Sequence, residues 1–408
     1  MSWEKVKLGD ICAWVTSGGT PLTSKADYYS PKEIPWLKTQ EVNYCRIYET
    51  NNQISKKGLE NSSAKLIPAN AVIVAMYGQG DTAGRVAINK IPLCTNQACC
   101  NLVIDENKAN YEFVYYNLCT LYDKLVSLKN GGAQPNLNAG LIKNLEISLP
   151  PLSTQKRIAD ILSAYDNLIE NNQKQIKLLE EAAQCLYKQW FIDLSYPGHE
   201  TTKIVDGLPE GWRKVTLGSA LSKITTGLNP RKNFVLGQGK NFYVTIKNMG
   251  DNNIYLDDKC DRVNDEALEK INKRSDLKTG DILFSGIGTI GRVYLIDIPT
   301  NNWNVSESVF TMRVNECVSK EFLYLMLLSD DVQSYCDLHA HGVAQRGIRM
   351  ADLKEYKFVL PENKIIDSFT TMVEPIIEKT QILRKSINSA AESRDRLLPK
   401  LMNGELEI

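Results

Sequence analysis

The string most suggestive of chemistry is FSGIGTIG, Phe284 to Gly291, in which Gly286, Gly288 and Gly291 spell G-x-G-x-x-G directly after an apolar run. Such a loop holds a nucleotide or S-adenosylmethionine only when a helix follows, because the helix N-terminus supplies the free amides. Here the next residues are GRVYLIDIP, a β-branched and aromatic run that reads as a second strand. An earlier string, YGQGDTAGRV, keeps Gly78, Gly80 and Gly84 at altered spacing. Both read better as hairpin loops held open by glycines than as cofactor sites. No G-x-x-x-x-G-K-[ST] phosphate loop occurs, so no ATP-driven motor is expected on this chain. The adenine-methylation tetrapeptide N-P-P-[YF] is missing too, since Asn229-Pro230 runs into Arg231. His339 and His341 flank Ala340 with no third ligand nearby, so they read as loop polars. Three histidines so placed assemble no Ser/His/Asp or Cys/His arrangement.

Composition narrows the class further. The 10 cysteines lie at irregular positions with no C-x-x-C pair, a usage that fits buried thiols in a reducing cytoplasm rather than structural zinc. No apolar run reaches the roughly 18 residues of a membrane span, and the polar opening MSWEKVKLGD does not read as a secretory signal. The chain carries 48 basic and 48 acidic side chains. Residues 1–150 hold 15 basic and 13 acidic groups, and residues 205–360 hold 20 of each. Any grip on nucleic acid must therefore come from local patches or from a partner that supplies charge.

The glycine loops recur because the chain is written twice. WEKVKLGDICAWVTSGGTP, Trp3 to Pro21, returns as WRKVTLGSALSKITTGLNP, Trp212 to Pro230. IPANAVIVAMYGQGDTAGRVAI answers to LKTGDILFSGIGTIGRVYLI, and YEFVYYNL to KEFLYLML. A period this long is a tandem of domains and not a solenoid, whose units run about 20–50 residues. The copies, 1–150 and 205–360, read as mixed α and β: short β-branched runs such as AVIVAMY and DILFSGI, and one helical stretch, Phe113 to Leu128 in the first copy.

After each copy the texture changes, over 151–204 and again over 361–408. Ser153 to Leu194 contains neither Gly nor Pro. Its apolar positions step 4, 3, 4, 3 through Ile158, Leu162, Tyr165, Ile169, Asn172, Ile176, Leu179, Ala183, Leu186 and Trp190, the seam of a coiled coil. The second series runs Ile366, Phe369, Val373, Ile376, Thr380, Leu383, Ile387, Ala390, Arg394, Leu397 and Leu401, with Pro375 expected to kink it. Asn172 and Thr380 place polar side chains mid-seam, either to set register or as tolerated polarity at a solvated edge. Each helix would be about 60 Å long, too long for a 150-residue domain to cover, so its natural partner is its duplicate. Chain order makes that pair antiparallel, with a pseudo-two-fold axis between two globular domains. The expected fold class is α/β (α+β): two tandem domains joined by two long helices forming an antiparallel coiled coil.

Several strings resemble the specificity subunit of type I DNA restriction–modification enzymes: LPPLSTQKRIADIL (Leu149 to Leu162), CLYKQWFIDL (Cys185 to Leu194), GDILFSGIGTIGR (Gly280 to Arg292), the ending RDRLLPKLMNGELEI and both W-x-x-V-x-L-G openings. The resemblance spans essentially the whole chain. Thr154 departs from the common Glu, and the second helix entry, LPENKIIDSF, lacks the P-P-L and Gln signature. The resemblance implies a non-catalytic reader of double-stranded DNA, each globular copy being a target-recognition domain for one half of a split, asymmetric site. The helices would set the unread spacer. Two methyltransferase subunits and motor–nuclease restriction subunits would be the partners, holding the S-adenosylmethionine, ATP and Mg that this chain does not bind. The competing readings are a coiled-coil scaffold and an autonomous S-adenosylmethionine-dependent DNA-modifying enzyme.

Base reading needs Arg, Lys, Asn or Gln at groove edges, with amides and hydroxyls on phosphate. In the first copy the candidates are Lys38, Gln79, Arg85, Asn96, Gln97, Gln134 and Asn136. In the second they are Arg231, Lys232, Lys247, Arg292, Ser306, Gln345, Arg346 and Arg349. Arg85 aligns with Arg292 and Gln134 with Gln345, which suits shared phosphate contacts or a common role in the fold. Gln79, Asn96, Arg231 and Lys232 differ between copies and suit the reading of different sequences.

Overall fold

The computed structural model describes residues 3–129, 136–343 and 346–406. It divides into two compact units, Met1–Asn171 with Ser386–Ile408, and Asn172–Lys385.

In the first unit, strand Glu4–Lys7 pairs antiparallel with Glu146–Leu149, closing the domain's two ends on each other. A five-stranded sheet runs in the order Cys12–Ser17, Cys99–Ile104, Val72–Ala75, Val86–Asn89, Cys45–Ile47. A four-stranded sheet holds Asn52–Ile54, Ile34–Leu37, Leu93–Thr95 and Leu66–Ile67. Val72–Ala75 is buried on both faces. Alternate side chains serve different cores: Val72 and Val74 meet Phe113, Val114 and Leu118, whereas Ile73 and Ala75 join Leu37, Ile67 and Leu93. The helical stretch is split into Tyr111–Cys119 and Tyr122–Ser127. Asn110 caps the first of these by accepting from the Phe113 amide at 2.9 Å.

The second unit repeats the plan. Arg213–Thr216 pairs with Lys357–Leu360. A four-stranded sheet orders Leu221–Thr226, Val309–Val314, Ile282–Ser285, Val293–Leu295. A three-stranded sheet orders Asp261–Val263, Asn241–Val244, Trp303–Val305. The helix Lys320–Leu327 is capped by Ser319, whose hydroxyl accepts from the Phe322 amide at 3.1 Å.

Two helices dominate the rest, Leu152–Tyr187 and Asn363–Met402. The chain stays helical through Pro375. The first helix ends in a π-turn, Lys188–Ile192, closed by the Asp193 amide on the Lys188 carbonyl at 2.9 Å. The wider turn lets consecutive Trp190 and Phe191 both bury.

Within the second unit the helices run antiparallel. Glu180 pairs with Arg384, while Tyr187, Trp190 and Phe191, further along the first helix, pack on Phe369, earlier on the second. Leu186 lies on the same cluster as Val373 and Phe369. Within the first unit Asp166 meets Arg394 at 2.6 Å, and Ile158 and Leu162 share a core with Leu397 and Leu401. The remaining seam positions, Ile169, Ile176, Leu179, Leu383 and Ile387, are all buried or half-buried. Asn172 and Thr380 are each only 4% exposed, so neither sits at a solvated edge.

The two helix entries use different chemistry. Gln155, 1% exposed, accepts from the Asn110 amide at 2.9 Å and donates to the Pro150 carbonyl at 2.8 Å. In the second copy Ile366 stands at that position inside the apolar core, and Thr370 donates to the Ser319 hydroxyl at 2.7 Å instead. The missing Gln signature thus marks a substituted contact.

Candidate nucleic-acid interface

In each unit the loops leaving the ends of several strands are tied into one edge. In the first, the Asn96 amide donates to the Leu37 carbonyl at 2.9 Å, Gly19 to Thr95 at 2.9 Å, Met76 to Ala98 at 2.8 Å and Leu137 to Met76 at 3.0 Å. These bonds join the loops that carry Lys38, Gln79, Asn96, Gln97 and Asn136. A Cβ on Gly18 would stand 2.1 Å from the Thr95 carbonyl, so only glycine lets the loops close up.

The second unit has the matching bonds. Ser306 donates to Val244 at 2.8 Å, Gly227 to Ser306 at 3.2 Å, Gly286 to Ser308 at 2.9 Å and Gly288 to Arg346 at 2.7 Å. A Cβ on Gly227 would stand 1.6 Å from the Val305 carbonyl. The loops of Arg231, Lys232, Lys247, Arg292, Ser306 and Arg346 therefore share one edge, and Ile348, beside Arg349, donates to the Gly286 carbonyl at 2.8 Å.

Exposure separates these residues. Gln79, Gln97, Asn136, Arg231, Lys232, Lys247, Arg346 and Arg349 are exposed. Lys38 is half-buried, its ammonium 5.2 Å from the centre of the Trp36 ring. Asn96 is half-buried and accepts from the Cys99 thiol at 3.3 Å. Ser306 is only 4% exposed and faces the interior. Gln134 and Gln345 lie outside the described residues.

The aligned arginines brace the loop edge. Arg85 donates to Asn43 at 3.0 Å and pairs with Asp81 at 2.5 Å. Arg292 donates to the Ile246 carbonyl at 3.3 Å and to that of Met249. Each thus ties the glycine hairpin to the loop after the strand that carries Trp36 or Tyr243. The hairpin itself is Ile282–Ser285 against Val293–Leu295, so no helix N-terminus follows Gly286. A Cβ on Gly286 would stand 2.4 Å from the Phe310 ring, and Gly288 and Gly291 have φ of +81° and +89°. Packing and left-handed backbone account for all three glycines.

Possible nucleophiles are muted. Burial pushes the Cys12 and Cys336 thiols up to about 12, and those of Cys94 and Cys260 up to about 11. His341 lies 3.2 Å from Asp352, and His339 stacks on Tyr335. Among the described residues no group of three or more His, Cys, Asp or Glu is placed to hold a metal ion. Nor, among them, is any helix long and apolar enough to cross a membrane.

The family model for the type I restriction modification DNA specificity domain matches residues 1–181 and again 209–389. The chain belongs to this family. It is 29% identical to the type I restriction enzyme MjaIX specificity subunit of Methanocaldococcus jannaschii, over all of this chain and 94% of that protein. It is 24% identical to the HindI specificity subunit of Haemophilus influenzae, over 99% of each. The fold is that of the type I S subunit from M. genitalium, with a TM-score of 0.62, 17% identity, and coverage of 98% of this chain and 96% of that one. The resemblance drawn from the sequence strings is thereby established, and the chain is a DNA specificity subunit of the type I restriction–modification class.

On the loop edge of this DNA specificity subunit, Gln97 has a counterpart that the sequence candidates did not include, Glu307. Thr20 donates to Gln97, and at the equivalent place Asn229 donates to Glu307 at 2.6 Å. The Tyr243 hydroxyl, which donates to the Leu228 carbonyl at 2.7 Å, also lies 3.3 Å from Glu307. Burial first, and then the Glu307 charge, push the Tyr243 phenol well up, so it keeps its proton and remains a donor. A search for cationic and amide side chains passes over a carboxylate. The available signal was the alignment of Gln97 with Glu307 in the doubled sequence.

Proposed function

We propose that the chain is the non-catalytic reading subunit of a type I restriction–modification complex, with recognition domains at 1–150 and 205–360 and helices with their linkers at 151–204 and 361–408. Each recognition domain reads one half of a split, asymmetric DNA site through its loop edge. Two methyltransferase subunits bind around the helices and transfer methyl groups from S-adenosylmethionine to adenine amines. Motor–nuclease subunits use ATP and Mg, and the assembly works in the cytoplasm. The supporting observation is the loop edge itself: one frame of backbone bonds occurs twice, carrying unlike side chains at its tips. Fixed backbone with divergent tips is what two different readouts on one scaffold require.

Of the candidates in the described residues, those that contact DNA are the exposed Gln79, Gln97, Asn136, Arg231, Lys232, Lys247, Arg346 and Arg349. Arg85 and Arg292 act by bracing these loops. The test is co-expression with a methyltransferase partner, followed by mapping of methylated adenines. The expected result is one motif with two unlike halves and a fixed spacer. A continuous or palindromic motif overturns the reading.

A further inference from the structure

We propose that Gln97 and Glu307 are the specificity-determining pair, one base-reading residue in each half of the target; this rests on the function proposed above. The two residues occupy equivalent turns, one in each unit. In the first unit the turn is fixed by Asn96 on Leu37 at 2.9 Å, Cys99 on Asn96 at 3.2 Å and Met76 on Ala98 at 2.8 Å. In the second it is fixed by Ser306 on Val244 at 2.8 Å, Val309 on Ser306 at 3.2 Å and Gly286 on Ser308 at 2.9 Å. Even the side-chain restraint is duplicated, from Thr20 in one and Asn229 in the other. What changes is the group presented: an amide in the first copy, a carboxylate in the second.

That exchange reverses the chemistry on offer. Thr20 occupies one lone pair of the Gln97 oxygen, so the exposed amide keeps its NH2 donors beside a remaining acceptor site. This suits the N7 and N6 edge of adenine. Glu307 offers acceptors alone, and a carboxylate has about four lone-pair sites, so Asn229 and Tyr243 do not exhaust it. A group without donors suits the exocyclic amine of cytosine. A carboxylate is repelled by phosphate, so beyond holding Asn229 the group on DNA that Glu307 can meet favourably is a base amine. The first half-site accordingly contains an adenine read by Gln97, and the second a cytosine read by Glu307.

The experiment maps methylated adenines generated by the co-expressed complex carrying wild-type chain, Glu307→Gln or Gln97→Glu. Glu307→Gln is expected to weaken the preference for cytosine at one position of the second half-site by about tenfold or more, leaving the first half-site unchanged. Gln97→Glu is expected to alter one position of the first half-site only. An unchanged motif in both variants overturns the proposal, and so does a uniform loss of modification across all sequences, which is the signature of a loop pin. Should Glu307→Gln fail to fold in a thermal melt, Gln97→Glu decides alone: its side chain is exposed, and the Thr20 hydroxyl can donate to a carboxylate as well. If the wild-type complex itself yields no split motif, the proposed function fails, a result separate from the outcome for these two residues.

Discussion

Arg292 sits inside the string that most resembled a cofactor loop, and its guanidinium is committed to the carbonyls of Ile246 and Met249. A charged donor bonded to backbone carbonyls contributes about 2 kcal/mol, more than a neutral bond would. Arg292→Ala is therefore expected to lower the unfolding free energy by about 2 kcal/mol, measured by denaturant titration. Lys247, exposed on the same loop and without a comparable tie, is expected to tolerate alanine within about 0.5 kcal/mol. A similar cost at both positions would show that the brace contributes nothing. The glycines around Arg292 were legible as a hairpin from the β-branched run that follows them. The partner of the arginine was not, because Ile246 and Met249 lie some 40 residues away and meet it only in the fold.

At the scale of elements, the first helix is joined to the globular part of the first unit by a polar network. Arg46, nearly buried, contacts Glu112 at 3.5 Å, Glu170 at 3.6 Å and Asn167 at 2.5 Å. Tyr48 donates to Glu170 at 2.7 Å, and Tyr116 donates to Asp166, which also holds Arg394. The heptad series predicts the seam but assigns Arg394 no partner. In the duplicate seam Ala183 takes the place of Arg394 and borders a cavity of about 320 Å³ with Ile377 and Tyr324. Asp166→Ala leaves Tyr116 without its acceptor and Arg394 with Asp395 alone, 2.8 Å away, and is expected to cost about 2 kcal/mol of stability in a denaturant titration. Adding Arg394→Met should recover part of that, since an apolar side chain needs no counter-charge. Strict additivity of the two changes would exclude a coupled pair.

At the scale of the whole molecule, the doubling of the chain is the doubling of a reading frame, and the helices belong equally to both copies. If their length sets the spacer, inserting one heptad into both should add about 10 Å. That corresponds to roughly three base-pair steps of 3.4 Å, with both half-sites unchanged. Mapping of methylated adenines in the co-expressed complex reads the spacer directly. The same spacer after insertion would refute the role. The neutral balance of 48 basic and 48 acidic groups predicts weak DNA binding by the isolated chain, because counterion release scales with the phosphates a surface can neutralise; nanomolar, site-specific binding by the purified chain alone would contradict this.

The sequence by itself determined the tandem, the two heptad seams, the mixed α and β character of each copy and the family, because these rest on period, composition and strings that need no contact map. It also placed most of the loops that leave the strand ends, since Gly, Asn and Pro punctuate strand ends wherever the chain turns. Only the tertiary structure decided which loop residues face outward. Ser306 turns inward, Arg85 and Arg292 serve as braces, and Gln97 and Glu307 stand on equivalent turns of the two units. The physical reason is that periodicity is a local property, whereas the orientation of a loop side chain depends on bonds to segments distant in the chain. Thr20 and Gln97 are 77 residues apart, and Asn229 and Glu307 are 78 apart.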